Sequence, residues 1–198
     1  MNSLPVESRA TPAQTGVWVG IAAISMSFAA YTSALLVRQS ATADWLHFKL
    51  PPILFFNTLV VLASSMTLYL ARVRRAATSA RSDGGTGINT STAAPQLTAL
   101  YITLLLGLLF LVGQLLAWRD LAAQGLTLAT SPSSSFFFLL TALHGIHLLG
   151  GLAGLLYVVY HVRSDRARAQ RAYAAASLYW HFMTVLWLYL FAVLAVRI

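Results

Sequence analysis

Five long stretches of this chain contain no aspartate, glutamate, lysine or arginine, and this distribution is the strongest constraint on its fold. They run from about residue 15 to 37, 50 to 71, 96 to 118, 134 to 162 and 172 to 196. Each stretch is long enough to cross a bilayer as a helix, which needs about 20 residues. Barrel strands would alternate polar and apolar residues, and these stretches do not. The sequence therefore predicts an all-α, polytopic membrane protein with five transmembrane helices.

The amino-acid composition agrees with a membrane protein and excludes several other classes. The chain is 58% hydrophobic and 9% charged, whereas soluble domains contain about 25% charged residues. This difference rules out a water-soluble enzyme, a disordered chain and a coiled coil. A net charge of +8 would suggest nucleic acid as the partner of a soluble protein. In a membrane protein it reflects topology instead, so we expect no nucleic-acid partner.

The predicted spans divide the chain into a short tail and one domain. Residues 1–14 are polar and lack a basic segment before an apolar one, so we expect a tail rather than a cleaved signal peptide. Residues 15–198 are predicted to form a single five-helix transmembrane domain. Residues 72–95 are basic and rich in serine, threonine, glycine and alanine, which predicts a flexible loop.

The basic residues predict the orientation of the helices, because lysine and arginine are retained on the cytoplasmic side. A cytoplasmic N-terminus and a periplasmic C-terminus place nine basic residues inside and four outside. The nine are Arg9, Arg72, Arg74, Arg75, Arg81, Arg163, Arg166, Arg168 and Arg171. The four are Arg38, Lys49, Arg119 and Arg197.

The chemistry available inside the predicted spans is limited. All five acidic residues fall in tails or loops, and the spans contain no lysine or arginine. Ion-coupled transporters and proton pumps usually place ionisable groups within the membrane, so this pattern argues against both classes. The chain has no cysteine, which excludes disulfides, iron–sulfur clusters and thiolate zinc sites.

Three histidines within the spans leave two interpretations open. His144 and His147 share a face of the fourth helix, and His181 lies in the fifth. One hypothesis is a small b-type cytochrome electron carrier that uses His144, His147 and His181, with a haem held between His147 and His181. The other is that these side chains hydrogen-bond to neighbouring helices, as polar residues in membrane bundles do.

Several strings of residues resemble those of one known family. The fourth and fifth helices contain LTALHGIHLLGGLAGLLYVV and YWHFMTVLWLYLF. The second and third contain LPPILFFNTLVVLASSMTLYLA and LGLLFLVGQLLAWRDLAAQG. Taken in their order along the chain, the four strings resemble subunit III of haem–copper terminal oxidases. The number of helices resembles the short five-helix bacterial form of that subunit.

The resemblance implies a non-catalytic accessory core subunit of cytochrome c oxidase in the bacterial cytoplasmic (inner) membrane. Such a subunit packs on subunit I, binds phospholipid, and supports oxygen reduction and proton translocation by the complex. Haem and copper would belong to partner subunits I and II, a small subunit IV is a further candidate partner, and this chain would hold no catalytic, cofactor-binding or metal residue. A subunit III-like component of a quinol oxidase or nitric oxide reductase complex is an alternative with the same resemblance.

The resemblance also assigns structural or lipid-contact roles to the residues that match the family motifs. They are Asn57, Thr58, Ser64, Ser65, Gln114, His144, Gly145, His147, Gly151, Tyr179, Trp180, His181, Phe182 and Trp187.

The chain departs from the family pattern at three acidic positions. A buried glutamate of the family corresponds here to Ile24 or Ser25, and the glutamate of its Q-x-x-E motif corresponds to Ala117. The aspartate that follows the fifth-helix histidine corresponds to Thr184. A role in proton transfer that depends on those carboxylates is therefore not expected of this chain.

Overall fold

The computed structural model describes residues 12–41, 44–82, 93–162 and 166–198, and within these ranges it contains five α-helices and no strand. The helices are α1 (Pro12–Ala41), α2 (Ile53–Ser82), α3 (Ala93–Ala123), α4 (Pro132–His161) and α5 (Arg166–Arg197). Each contains a segment long enough and apolar enough to span a membrane. This confirms the predicted all-α class with five transmembrane helices.

Most of the helices extend beyond the apolar spans predicted from the sequence. In α2 the candidate membrane span ends at Arg74, but the helix continues to Ser82. The extension contains alanine and arginine, which favour helix, and lengthening an existing helix costs far less than starting one. Residues 1–11 and 83–92, which include most of the predicted tail and the centre of the predicted flexible loop, lie outside the described residues.

Helix α5 is the central packing element of the bundle. Its backbone lies close to α1, α2 and α4, and its side chains also reach α3, which packs between α2 and α4. Among the described residues, α1 contacts only α4 and α5 and does not reach α2 or α3. Large apolar side chains are exposed on all five helices, as expected where the outer faces meet lipid or other apolar surfaces rather than water.

Aromatic side chains fill the centre of the bundle. Trp180 and Trp187 of α5 are fully buried, and the ring of Phe110 on α3 meets Trp187 edge-to-face at a centroid distance of 4.8 Å. Gly107 of α3 allows Trp180 to lie against the helix, because a Cβ at Gly107 would come within 2.6 Å of the indole. The packing of α3 on α5 therefore depends on a missing side chain as well as on large ones.

Local signals end α3 and begin α4. Gly125 adopts a left-handed φ of 81° after α3. The N–H of Gly125 donates to the carbonyl of Ala122, and the N–H of Leu126 donates to that of Leu121, which is the pattern of a Schellman cap.

The start of α4 is fixed by a capping box. The backbone N–H of Ser134 donates to the side chain of Ser131, and the backbone N–H of Ser131 donates to the side chain of Ser134. Pro132 occupies the first turn, where a missing N–H costs nothing.

Hydrogen bonds tie the end of α1 and the segment between α1 and α2 to the end of α5. Gln39 Nε2 and Trp45 Nε1 both donate to the carbonyl of Arg197, at 3.2 and 2.9 Å. The backbone N–H of Phe48 donates to the carbonyl of Ile198 at 3.1 Å. We call this the closed end of the bundle, where α1, α3 and α5 end and α2 and α4 begin.

The bond between Trp187 and Thr58 gives a direct test of this packing. Trp187 Nε1 donates to Thr58 Oγ1 at 3.0 Å, and Thr58 in turn donates to the carbonyl of Leu54 in its own helix. Thr58→Val keeps the shape of the side chain but leaves the buried indole N–H without an acceptor. We expect the free energy of unfolding of the purified protein in detergent to fall by about 1–3 kcal/mol.

Thr32→Val is the matched control for this measurement. Thr32 is also buried, but its hydroxyl bonds only to the carbonyl of Phe28 in its own helix. It should therefore lose less stability than Thr58→Val. Equal losses for the two variants would contradict a stabilising role for the bond from Trp187.

Candidate functional site

The residues predicted from the family motifs converge mainly on the contact between α2 and α5. Side chains of α5 hydrogen-bond to α2 at successive levels, which we call the α2–α5 ladder. Its bonds join Trp187 to Thr58, His181 to Ser65, Trp180 to Ser64, and Tyr173 to the carbonyl of Leu68. The residue numbers rise along α2 as they fall along α5, because the helices are antiparallel and residues about seven apart return to the same face.

Two rungs of the ladder pair an indole with a hydroxyl in the apolar interior. Trp180 Nε1 donates to Ser64 Oγ at 3.0 Å, and both side chains are fully buried. An indole can only donate, whereas a hydroxyl can accept and donate together. Ser64 also donates to the carbonyl of Val61 at 2.7 Å, so one hydroxyl makes a bond between helices and a bond within its own helix.

A second contact region joins α4 to α5. The hydroxyl of Tyr179 donates to the carbonyl of His147 at 3.0 Å. Gly151 makes this approach possible, because a Cβ there would already lie 3.2 Å from the rings of Tyr179 and Trp180. Gly145 has more space, with Leu111 4.0 Å from an added Cβ. Phe182 is partly buried and packs against the apolar core.

The three histidines predicted as candidates lie in different surroundings. His144 is fully buried, with its ring 5.8 Å from Phe110 and 5.1 Å from Trp187 between centroids. His147 is half-buried, and its ring meets Phe28 of α1 at a centroid distance of 5.8 Å. Its Nδ1 lies 2.7 Å from the carbonyl of Leu143 in its own helix.

The surroundings of His181 bear on the haem hypothesis. Its Nδ1 lies 2.6 Å from Ser65 Oγ on α2, while His147 packs on α1. The backbones of α1 and α2 do not approach each other within the described residues, so these two histidines face different neighbours of α5. The geometry thus favours the interpretation of these histidines as helix-packing residues.

Three further motif residues have a property that sequence reasoning missed. Asn57, Gln114 and His144 are almost completely buried, and none of their side-chain polar atoms hydrogen-bonds to the described part of the protein. The motifs assigned these residues structural or lipid-contact roles without indicating that their polar atoms lie unpaired in the fold. Gly113 is part of the same arrangement, because a Cβ at this position would collide with the carboxamide of Asn57.

The positions at which the resembled family carries acids are neutral and packed. Ala117 is fully buried on α3, and Thr184 is buried on α5 with its hydroxyl bonded to the carbonyl of Trp180 at 3.1 Å. Ile24 packs against the core, while the exposed Ser25 donates to the carbonyl of Ile21. These sites provide packing and bonds within a helix rather than a titratable group.

An open groove lies on the outer surface between α3 and α4, towards the closed end. Its volume is about 560 Å³, and its lining is apolar except for Arg119 and the indole of Trp118. The lining residues are Val112, Leu115, Leu116, Trp118, Arg119, Ala122 and Phe138. An apolar channel with a cation at one end has the shape and polarity that suit an acyl chain with an anionic headgroup.

Comparison with known proteins identifies the family. The family model described as cytochrome c oxidase subunit III matches residues 23–196. A probable cytochrome c oxidase subunit 3 of Mycobacterium tuberculosis is 37% identical over 97 residues, which are 47% of this chain and 47% of that protein. The aligned part thus spans about half the length of the mycobacterial relative.

Two further relatives align over most of the chain at lower identity. The cytochrome c oxidase subunit 3 of a Synechocystis species is 28% identical over 186 residues, which are 89% of this chain and 72% of the relative. That of Thermostichus vulcanus is 26% identical over 188 residues, which are 90% of this chain and 84% of the relative. The matched family region includes all of α2, α3 and α4 and nearly all of α5, with the motif residues described above. The chain belongs to the cytochrome c oxidase subunit III family of haem–copper oxidases.

Proposed function

We propose that this protein is a non-catalytic accessory core subunit of an aerobic respiratory terminal oxidase, cytochrome c oxidase, and that it packs on subunit I. The match of the subunit III family model to residues 23–196 carries this proposal. Haem and copper then belong to subunits I and II, and this chain supports oxygen reduction and proton translocation indirectly. The bundle is consistent with that role, because its motif side chains join helices to each other.

We propose structural roles for the motif residues of the α2–α5 ladder and of the α4–α5 contact. Trp180 and Trp187 hold α5 on α2, and Tyr179 holds it on α4. An accessory subunit needs a rigid surface for its partner, since a contact that must first be ordered binds more weakly. The buried ladder provides that rigidity.

The surface proposed to meet subunit I is formed by α1 and α2. The buried side chains described on α1 are Phe28, Thr32 and Leu35, and most of its remaining circumference is exposed. In this helix Gly20 has no side chain and Ser27 has a small one. An added Cβ at Gly20 would meet nothing within 4 Å. Small residues let a neighbouring transmembrane helix approach closely.

Phospholipid binding is the second part of the proposed function. The groove between α3 and α4 supports it, because apolar side chains would contact the acyl chains and Arg119 would contact the phosphate.

The proposed location is the bacterial cytoplasmic membrane, with the N-terminus in the cytoplasm. The distribution of basic residues supports this orientation. The end of the bundle where α1, α3 and α5 end carries Arg38, Lys49, Arg119 and Arg197, which is the less basic end of the chain.

Purification of the affinity-tagged chain from its native membranes tests the assignment to an oxidase. We expect a haem–copper subunit I and a subunit II to co-purify, with reduced-minus-oxidised haem bands in the complex. After dissociation, the tagged chain should be colourless. A complex without a haem–copper subunit would refute the proposal, and a Soret band that stays with the isolated chain would favour the b-type cytochrome instead. Oxidation of cytochrome c or of quinol by the complex distinguishes the oxidase types.

Cross-linking from single cysteines tests the proposed surface for subunit I, and the absence of native cysteine makes each site unique. Ser27→Cys on α1 should form a cross-link to subunit I with a short thiol-reactive reagent. Leu149→Cys is the matched control, because Leu149 is 54% exposed on α4. Cross-links from position 149 without any from position 27 would place the interface on the opposite side of the bundle.

Native mass spectrometry of the purified complex tests the lipid groove. Arg119→Gln removes the cation at the end of the groove and should reduce the phospholipid that is retained after mild delipidation. Lys49→Gln removes a cation from the same end of the bundle without touching the groove, so it should retain lipid as the unmodified protein does. An equal effect of both substitutions would show a response to net charge and not a site.

A further inference from the structure

We propose that Asn57, Gln114 and His144 form a binding site for internal water between α2, α3 and α4. Asn57 and His144 are fully buried, and Gln114 is 4% exposed. Both polar atoms of each side chain lack a hydrogen-bond partner within the described residues. Leaving such groups unpaired in an apolar interior is costly, so a stable protein provides partners for them.

Asn57 lies against Gly113, the residue that precedes Gln114, along the α2–α3 contact. Its carboxamide occupies the position where a side chain on Gly113 would begin, since an added Cβ there would overlap the carboxamide oxygen. Gly113 precedes Gln114 in α3. The missing side chain at Gly113 therefore lets the amide of α2 rest on the backbone of α3, one residue away from the second buried amide.

His144 reaches the same region through ring contacts from two directions. Phe110 lies 5.8 Å from the His144 ring, and Gln114 follows Phe110 by one helical turn on the same face of α3. Trp187 lies 5.1 Å from the His144 ring and donates its N–H to Thr58, the neighbour of Asn57. These contacts place the three polar side chains at one level of the bundle.

The chemistry of the three side chains matches water better than other occupants. Each carboxamide has a donor and an acceptor end, and a neutral imidazole has one of each. A buried water commonly makes about three hydrogen bonds to otherwise unpaired polar groups. A metal cation fits poorly, because the three side chains carry no negative charge to offset the cost of burying a cation.

The site adjoins the α2–α5 ladder at Trp187 and Thr58 but differs from it in its hydrogen bonding. In the ladder the indoles of Trp180 and Trp187 are paired directly with hydroxyls, so they need no water. Thr184 and Ala117 near this region likewise present no unpaired polar atom. Water is therefore expected at Asn57, Gln114 and His144 and not at the indole N–H groups of Trp180 and Trp187.

Water-edited solid-state NMR on the protein in its native complex tests this proposal. Histidine, asparagine, glutamine and tryptophan are labelled with ¹⁵N, and polarisation is transferred from water protons at short mixing times. We expect transfer to the His144 ring and to the side-chain amides of Asn57 and Gln114. The indole signal of Trp180 is the internal control, because its N–H group is bonded to Ser64.

The unmodified protein alone decides the outcome, so the test does not depend on a variant that folds. The absence of transfer to His144 and the two amides, at mixing times that detect other buried water, would overturn the proposal. It would do so whether the three side chains bond to each other or to another subunit.

A variant of Asn57, with a matched control, tests whether the three side chains share one water site. Asn57→Leu removes a carboxamide from the site and should lower the transfer to His144 towards the level of the Trp180 indole. Thr32→Val changes a buried residue of α1 whose hydroxyl bonds to the carbonyl of Phe28 in its own helix, and it should leave the transfer to His144 unchanged. Unchanged transfer to His144 in Asn57→Leu would overturn the shared site.

Discussion

The pairing of buried N–H groups determines how this bundle is arranged. Trp180 and Trp187 bring two indole donors into an interior where no solvent can accept from them, and Ser64 and Thr58 supply the acceptors. Apolar contacts between transmembrane helices are poorly specific, because lipid tails offer similar ones. Two directional bonds about two turns apart therefore fix both the register and the rotation of α5 on α2. The positions of α1 and α4 follow, since both pack on α5.

The helices could be predicted from the sequence because charged residues mark where a span cannot continue. The helix ends that lie beyond these spans could not be predicted, because α2 continues to Ser82 through residues that favour helix on either side of the membrane boundary. The importance of His144, His181 and Trp187 was visible from the motifs. The residues that contact them were not visible, because a sequence indicates the face of the helix on which a residue lies but not which helix packs against that face. His147 and His181 show this limit: they face α1 and α2, not each other.

The neutral residues at the family's acidic positions are consistent with the packing around them. Ala117 is fully buried, and Thr184 satisfies its hydroxyl within α5. A carboxylate at either position would need a partner or a proton in the membrane interior. Polar character is retained instead in carboxamides and an imidazole at Asn57, Gln114 and His144, which can exchange hydrogen bonds without changing charge.

The restriction of α1 to contacts with α4 and α5 has a consequence for the order of assembly during synthesis. The first helix to enter the membrane finds no partner in α2 or α3, so it must remain in lipid while those two helices insert and pair with each other. Its own packing waits for the most distant helices of the chain. Trp45 and Phe48 can bond to Arg197 and Ile198 only when α5 is in place. Insertion of α5 thus completes the packing of α1 and the closed end of the bundle together, and α1 stays available to chaperones or partner subunits before α4 and α5 are in place.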